Sequence, residues 1–124
     1  MIQLRTVLTV ADNTGARTAY MIGISGKGNM LRAQIGAVVT VVVKDAIPYG
    51  QVKKGEIFQA VVVRTRKEKR RIDGSYIRFS DNACVLLAEK GMKDPKGTRV
   101  FGPVSKEVKD NGFNKVASLA EEMY

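Results

Sequence analysis

The feature that most constrains the fold is a pair of apolar segments separated by a strongly basic connection, in residues 60–86. Valine fills positions 61–63, and Val85 and Leu86 follow the connection; runs of β-branched and bulky apolar residues are typical of buried strands. The connection holds six cations and one acid in residues 64–71. That is more charge than a solvated hairpin needs, so the sequence predicts a core hairpin that extends a cationic arm.

Further apolar segments with turn residues between them predict a mainly β fold. The predicted strands cover residues 5–11, 17–24, 35–45, 57–65, 77–79 and 83–88. Turns are predicted where Asp12-Asn13-Thr14-Gly15, the Pro48 segment and Asp73-Gly74 interrupt these runs. Six short β segments without helical periodicity before position 100 favour a small closed barrel over an α/β sheet.

Two short helices are predicted near the end of the chain. Pro103 suits the first turn of a helix, and Gly112 can end it. A second helix is predicted over residues 114–120, with Val116 and Leu119 on one face. Helices this short are not stable alone, so we expect both to pack on the barrel.

The length of 124 residues is that of one domain. We predict that residues 1–100 form the barrel with a basic hairpin at 64–78, and that residues 101–124 form a helical part packed on it. Residues 23–32, which are rich in glycine, and residues 90–97 are interpreted as loops. The glycine-rich stretch lacks the Ser or Thr that follows Gly-Lys in phosphate-binding loops, so no nucleotide site is expected there.

The charge balance points to a polyanionic partner. The sequence has 21 Lys and Arg against 12 Asp and Glu, a formal net charge of +9. Such a charge favours RNA, DNA or anionic membranes. No apolar run approaches the ~20 residues that span a bilayer, and residues 1–6 predict neither a signal nor a transit peptide. We therefore expect no membrane partner.

Several classes of chemistry have little support in the residue content. There is no histidine, which removes the most common general base and metal ligand near neutral pH. The single cysteine, Cys84, lies in an apolar run typical of inert buried thiols, allows no internal disulfide and fits a reducing compartment. One cysteine without histidine cannot build a structural zinc site. We expect neither an enzyme nor a cofactor.

The cations of the hairpin and of neighbouring segments are the candidate RNA contacts. They are Arg17, Lys44, Lys53, Lys54, Arg64, Arg66, Lys67, Lys69, Arg70, Arg71 and Arg78. Aromatic residues make up only 6% of the chain, and Phe58, Phe79 and Phe101 sit among apolar neighbours. Since proteins that grip single strands stack bases on exposed rings, we expect recognition of phosphates and shape in folded RNA.

The same hairpin carries a family pattern. Ala60 with the three valines at 61–63, Asp73-Gly74, Phe79, Asn82 and Val85-Leu86 resemble the signature of the universal large-subunit ribosomal protein fourteen family. The resemblance extends over nearly the whole chain and is to the bacterial or organellar type. It includes MIQ at the start, VADNTGAR at 10–17, VKDAIP at 43–48, VKKGE at 52–56, GTRVFGPV at 97–104 and KVASLA at 115–120.

The resemblance implies a five-stranded β-barrel with two small C-terminal helices. It implies a structural protein of the large subunit, in a cytoplasmic or organellar ribosome, that binds large-subunit rRNA beside the third and nineteenth large-subunit proteins. It further implies intersubunit bridges with small-subunit rRNA and a docking site for a ribosome-silencing factor. Carried over by motif, the residues of that docking site are Thr98, Arg99 and Lys115.

Three other classes of function stay open from the residues. A free-standing barrel-type protein that binds single-stranded nucleic acid would bind an unstructured oligonucleotide tightly and resist salt. A protein–protein adaptor would keep its partner after nuclease treatment. An enzyme would need catalytic carboxylates, and activity that survived substitution of every clustered acid would exclude it.

Overall fold

The computed structural model describes residues 2–3, 6–24, 32–88 and 94–124. Within them the strands are β1 Ile2–Gln3, β2 Val7–Val10, β3 Ala16–Ile24, β4 Arg32–Ala33, β5 Val38–Ala46, β6 Ile57–Arg64, β7 Lys69–Arg70, β8 Tyr76–Ile77, β9 Ala83–Leu86, β10 Pro103–Val104 and β11 Glu122–Met123. The helices are α1 Lys106–Asp110 and α2 Asn114–Leu119. Strands β2, β3, β5, β6 and β9 form a closed barrel, which confirms the predicted fold class.

Closure of the barrel depends on one parallel pair. Strands β2–β3, β3–β5, β5–β6 and β6–β9 pair antiparallel, and β2 pairs with β9 in parallel through Thr9 with Ala83 and Val10 with Cys84. Because each barrel strand has two neighbours, the barrel has no open edge at which another strand could add. The first and last barrel strands are thereby joined over a long stretch of chain, since the paired residues Thr9 and Ala83 are 74 positions apart in the sequence.

Two apolar clusters explain the continuous valine runs. Leu8, Met21, Val41 and Leu86 fill the barrel interior. Val61 and its outward-facing neighbours on β6 and β9 pack instead against the C-terminal helices, in a cluster of Ala11, Val61, Val63, Ala83, Val85, Leu87, Val100, Val104, Val108, Phe113 and Val116. A strand buried on both faces has no polar side to alternate with, so it reads as an unbroken apolar run.

The predicted start of the first helix is wrong. Pro103 lies in β10, which pairs in parallel with β11. Helix α1 begins at Lys106, with Ser105 as its N-cap, and the backbone N–H of Ser105 donates to the carbonyl of Val63 on β6 at 3.2 Å. This contact holds the preceding segment extended along the barrel. Gly112, at φ +93°, follows the helix as expected, and the second helix is confirmed.

The other predicted elements differ from the structure mainly at their ends. Strand β5 begins at Val38 because Gly36, at φ +86°, forms a turn before it. The segment predicted at 77–79 is the shorter β8. Residues 25–31 of the first predicted loop and 90–93 of the second lie outside the described residues. In the part of the chain that is described, no helix is long and apolar enough to cross a membrane.

Candidate nucleic-acid interface and partner surface

The basic arm, residues 64–78, is a short hairpin in which β7 and β8 pair antiparallel. Its turn is the predicted Asp73-Gly74. The carboxylate of Asp73 accepts hydrogen bonds from the backbone N–H of Ser75 at 3.0 Å and from its hydroxyl at 2.7 Å. Gly74 has a φ of +89°, which a residue with a side chain rarely adopts. These hydrogen bonds from Ser75 lower the pKa of Asp73, so the turn carries a negative charge at neutral pH.

Arg64, one of the candidate RNA contacts, makes contacts within the fold. Its Nη1 donates to the carbonyl oxygens of Phe101 at 3.1 Å and Pro103 at 3.3 Å, and its Nε lies 3.1 Å from Asp81 Oδ1. The residue is only 8% exposed. Gly102 is required beside it, because an added Cβ would lie 2.2 Å from Arg64 Nη1. The guanidinium joins the base of the arm to the C-terminal segment.

Arg71 anchors the far part of the arm to the body of the protein. Its Nε donates to Glu107 Oε1 on α1 at 2.8 Å, and its Nη2 donates to the backbone oxygen of Tyr124. Glu107 also accepts from the Ser105 hydroxyl. Burial opposes ionisation of Glu107, but the hydrogen bonds from Ser105 and Arg71 outweigh it and lower the pKa of the carboxyl. Arg71 is therefore occupied by an ion pair at neutral pH.

The other cations of the basic arm differ in whether they already have a hydrogen-bond or ion-pair partner. Lys69 is half-buried and its Nζ donates to Gln34 Oε1 at 3.1 Å. Lys67 is exposed and pairs with Glu68 at 3.0 Å on the surface, a kind of pair that is easily exchanged. Arg66, Arg70 and Arg78 are exposed, and no salt bridge involves them in the described residues. We call Arg66, Lys67, Arg70 and Arg78 the arm cations.

Two clefts lie beside the arm cations. One of about 210 Å³ is lined by Gln34, Ile35, Thr65, Lys67, Glu68, Lys69 and Arg70. A second, of about 490 Å³, separates the arm from α1 and is lined by Lys69, Arg70, Arg71, Ile72, Asp73, Lys106, Glu107 and Asp110. The arm therefore presents a grooved, positively charged surface.

The candidate cations outside the arm lie on the barrel ends. Arg17, Lys44, Lys53 and Lys54 are all exposed. Arg17 and Lys44 are on neighbouring strands, since Ala16 pairs with Ala46 and Thr18 with Asp45, and Lys44 Nζ lies 4.9 Å from the centroid of the Tyr20 ring. Lys53 and Lys54 lie in the β5–β6 turn, which is closed by a 2.8 Å hydrogen bond from the backbone N–H of Lys53 to Glu56 Oε1.

Asp12 is a buried polar residue whose role the sequence reasoning missed. Its Oδ1 accepts from the N–H of Thr14 at 3.2 Å and from its hydroxyl at 2.6 Å, and its Oδ2 accepts from the N–H of Leu86 on β9 at 3.0 Å. Burial raises the pKa of Asp12 despite the opposing hydrogen bonds from Thr14 and Leu86. The carboxyl joins the β2–β3 turn to the strand that closes the barrel. The sequence signal that could have indicated this role is the position of an acid directly after an apolar strand.

Asn13 holds two of the residues expected to dock a protein partner. Its Oδ1 accepts from the backbone N–H groups of Thr98 at 2.9 Å and Arg99 at 3.1 Å, and its Nδ2 donates to Thr98 Oγ1 at 2.8 Å. Gly97 allows this approach, because an added Cβ would lie 2.6 Å from Asn13 Oδ1. Thr98, Arg99 and Lys115 are all exposed, and Lys115 Nζ lies 3.6 Å from Asp94 Oδ1. We call Thr98, Arg99, Phe101 and Lys115 the partner surface.

The aromatic residues are more exposed than their sequence neighbours suggest. Phe58 and Phe79 are half-buried, but Phe101 is 48% exposed although it sits among apolar neighbours in the sequence. The reason is the extended segment, in which Val100 turns inward and Phe101 outward. Tyr49 and Tyr76 are also exposed, at 98% and 64%.

The described residues contain no group of three or more Asp, Glu or Cys that could hold a metal ion. Cys84 is fully buried on β9, and burial raises the pKa of its thiol well above the usual range.

We predict that Cys84 resists alkylation by iodoacetamide at pH 8 in the native protein and reacts within minutes in concentrated urea. Mass spectrometry measures the extent of alkylation in both conditions. Rapid labelling of the native protein would contradict the buried position of β9.

Comparison with known proteins gives consistent matches over the full length. The model of the family described as ribosomal protein L14p/L23e matches residues 1–124. The chain is 55% identical over 123 residues to the large ribosomal subunit protein uL14 of Aquifex aeolicus, and the match covers 99% of both chains. It is 54% identical, with the same coverage, to the protein of that name from Aquifex pyrophilus.

Proposed function

Because the chain belongs to the ribosomal protein L14p/L23e family, we propose that it is a structural component of the large ribosomal subunit that binds large-subunit rRNA through its arm cations. The observation that carries this proposal is that some cations of the basic arm are held by contacts within the protein while others are left exposed. Arg64 and Arg71 fix the hairpin to the C-terminal segment and to α1, while Arg66, Arg70 and Arg78 are left exposed. Membership of a ribosomal protein family also agrees with the expected absence of enzymatic activity.

The proposed mechanism is electrostatic and geometric. A phosphate contact made by Lys or Arg releases condensed counterions, so affinity rises with the number of contacts and falls with salt. An anchored hairpin loses little conformational entropy on binding, because its backbone is already ordered. The exposed cations at the barrel ends, Arg17, Lys44, Lys53 and Lys54, supply a second group of candidate phosphate contacts.

The same proposal assigns different partners to the two faces. The arm and barrel ends contact large-subunit rRNA, with the third and nineteenth large-subunit proteins as neighbours. The partner surface takes part in intersubunit bridges with small-subunit rRNA and docks a ribosome-silencing factor, in a cytoplasmic or organellar ribosome. Support comes from the exposure of Thr98, Arg99 and Lys115 together with an aromatic ring.

Crosslinking tests where the rRNA lies. Assembled large subunits containing this chain would be irradiated with ultraviolet light, digested, and searched by mass spectrometry for peptides carrying nucleotides. We expect adducts on peptides that contain residues 66–78, where Tyr76 offers an exposed ring. Adducts found only on peptides of α1 and α2 would contradict the proposed orientation.

A second prediction concerns the partner surface. The double variant Arg99→Ala and Lys115→Ala removes two exposed cations and should weaken binding of a ribosome-silencing factor by about 10- to 100-fold, since each interfacial cation contributes roughly 1 kcal/mol. The measurement is isothermal titration calorimetry. The matched control is Lys106→Ala with Lys109→Ala on α1, which removes the same charge from exposed positions. Equal losses in both variants would exclude a specific role for Arg99 and Lys115.

A free-standing single-strand binder is the second candidate function, and the exposure of Tyr49 and Tyr76 favours it. Base stacking on a ring contributes roughly 1–3 kcal/mol. A fluorescence titration with an unstructured oligonucleotide distinguishes the two candidates. Tight binding that persists at high salt and falls when both tyrosines are changed to alanine would favour this alternative.

A further inference from the structure

The smaller cleft beside the arm cations, of about 210 Å³, is held in shape by the protein itself. Ile35 and Thr65 line it and are only 3% and 2% exposed, so they form its floor. The Thr65 hydroxyl donates to the carbonyl of Lys67 at 3.0 Å, and Lys69 Nζ donates to Gln34 Oε1 at 3.1 Å. These hydrogen bonds fix the arm against the segment before β5, so a ligand would enter a preformed site at little ordering cost.

The size and lining of this cleft suit one flat ring. Pockets that hold drug-sized ligands begin at roughly 300 Å³, and the smaller cleft lies below that size. Its floor includes the apolar Ile35, and two of the arm cations, Lys67 and Arg70, line it as well. RNA-binding proteins commonly take up an unpaired base turned out of its stack. Such a base fits here, with its flanking phosphates near the cations.

Glu68 is the one acid among the described residues that line the smaller cleft. It is exposed and pairs with Lys67 at 3.0 Å. Hydrogen bonds from its own backbone N–H and from Lys67 lower the pKa of Glu68, so it is a carboxylate at neutral pH. A carboxylate repels phosphates, but it accepts hydrogen bonds from the N–H groups on the edge of a base.

The polar groups of the cleft match the edge of guanine. Unpaired guanine presents two adjacent donors, N1–H and the N2 amino group, which one carboxylate can accept together, and the carbonyl oxygen O6 beside them. Adenine, cytosine and uracil do not offer two adjacent donors. Because the Lys69 ammonium has only donors, the oxygen of the Gln34 amide faces it. The NH₂ group of Gln34 is left as a donor for an oxygen such as O6.

We infer that the smaller cleft binds one unpaired guanine of the RNA, with Glu68 accepting from the N1–H and N2 amino groups of the base. The inference rests on the proposed binding of large-subunit rRNA and adds a base-specific contact to it. The arm cations bind phosphates whatever the sequence, whereas Glu68 selects the base.

The direction of the effect of Glu68→Gln tests this inference. If the cleft met only phosphates, removing the negative charge and releasing Lys67 would strengthen binding of large-subunit rRNA. We expect about tenfold weaker binding instead, because an amide oxygen cannot replace both charge-assisted hydrogen bonds. Filter binding at fixed salt measures the affinity. The matched control Glu121→Gln removes the same charge from an exposed position outside the arm and should change affinity by less than about twofold.

Chemical probing of the bound rRNA identifies the base. Kethoxal reacts with N1 and N2 of unpaired guanines, so the natural protein should protect one guanine that becomes reactive again in the complex with Glu68→Gln. Replacing that guanine with adenine in a transcript should weaken binding of the natural protein about tenfold and cause no further loss with Glu68→Gln, as expected of two groups in contact. The thermal unfolding midpoint of Glu68→Gln should stay close to that of the natural protein.

The outcomes separate this inference from the proposed function. If Glu68→Gln binds as tightly as the natural protein or more tightly, while loss of Arg66, Lys67 and Arg70 weakens binding, the guanine site is wrong and the rRNA-binding role stands. If affinity falls but the kethoxal pattern of the rRNA is the same with both proteins, the effect is indirect and the inference is overturned. If the natural protein itself does not bind large-subunit rRNA, the proposed function is wrong.

Discussion

Replacing Arg66, Lys67 and Arg70 together with alanine should weaken binding to large-subunit rRNA by about 100-fold at moderate salt. It should also reduce the slope of log K against log salt by about 2 to 3, since each lost phosphate contact removes roughly 0.7–0.9 from that slope. The three residues are exposed on the arm, and their removal leaves the anchoring contacts of Arg71 in place. The measurement is a filter-binding titration at several salt concentrations.

The control for this triple variant removes the same charge elsewhere. Changing Arg99, Lys109 and Lys115 to alanine also lowers the formal net charge by three, from +9 to +6. These residues are exposed and lie outside the arm. We expect the control to lose a few-fold in affinity with little change in slope. Equal slopes for the two variants would show that binding depends on total charge and would exclude the arm as a specific contact.

Asp12→Ala should lower the free energy of unfolding by about 2 kcal/mol, because it leaves the buried N–H of Leu86 without its acceptor. It also removes both hydrogen bonds that Thr14 donates within the turn. Urea unfolding at neutral pH measures the loss. Asp110→Ala, at an exposed position on α1, is the control and should change stability by less than about 0.5 kcal/mol. An Asp12 variant that matched this control would contradict the closing role of the carboxyl.

The contribution of Asp12 to the free energy of unfolding should decrease as the pH rises. Burial raises the pKa of Asp12 in the folded protein, so folding favours its neutral form. The associated stability is fully present below the usual pKa of aspartate and is lost as the pH rises through the raised value. The stability of the natural protein relative to Asp12→Asn, which does not titrate at this position, should therefore decrease from acid to neutral pH. A constant difference would mean that the pKa is not raised.

The barrel could be predicted from the sequence because its signals are local. The valines at 61–63 and the apolar residues 83–87 favour strands that are buried on both faces, and these residues are buried in the structure. The turn also forms at Asp73-Gly74, where the sequence predicts it. Pro103 was assigned to a helix because its local preference suits a first helical turn. The contacts that decide otherwise are the pairing with Glu122 on β11 and the hydrogen bond from Ser105 to Val63 on β6, which no local pattern reveals.

The candidate interface could be predicted only in part, for the same reason. The excess of cations in residues 64–71 identifies the arm, but the partners of the anchoring cations Arg64 and Arg71 are distant along the chain. Glu107 lies 36 residues from Arg71, and Phe101 lies 37 residues from Arg64. Asn13 and Thr98 are 85 residues apart. Counting charges therefore cannot separate anchoring cations from available ones, whereas the structure separates them directly.

Sedimentation tests the central claim, that this chain is held in the large subunit by RNA, most directly. Ribosomal subunits from cells that express a tagged copy would be washed in high salt and separated on a sucrose gradient, with a parallel sample treated with nuclease. We predict that the tagged chain migrates with the large subunit without nuclease and is released from it after digestion. A chain that stays at the top of both gradients, or that remains with other proteins after its RNA is digested, would contradict the claim.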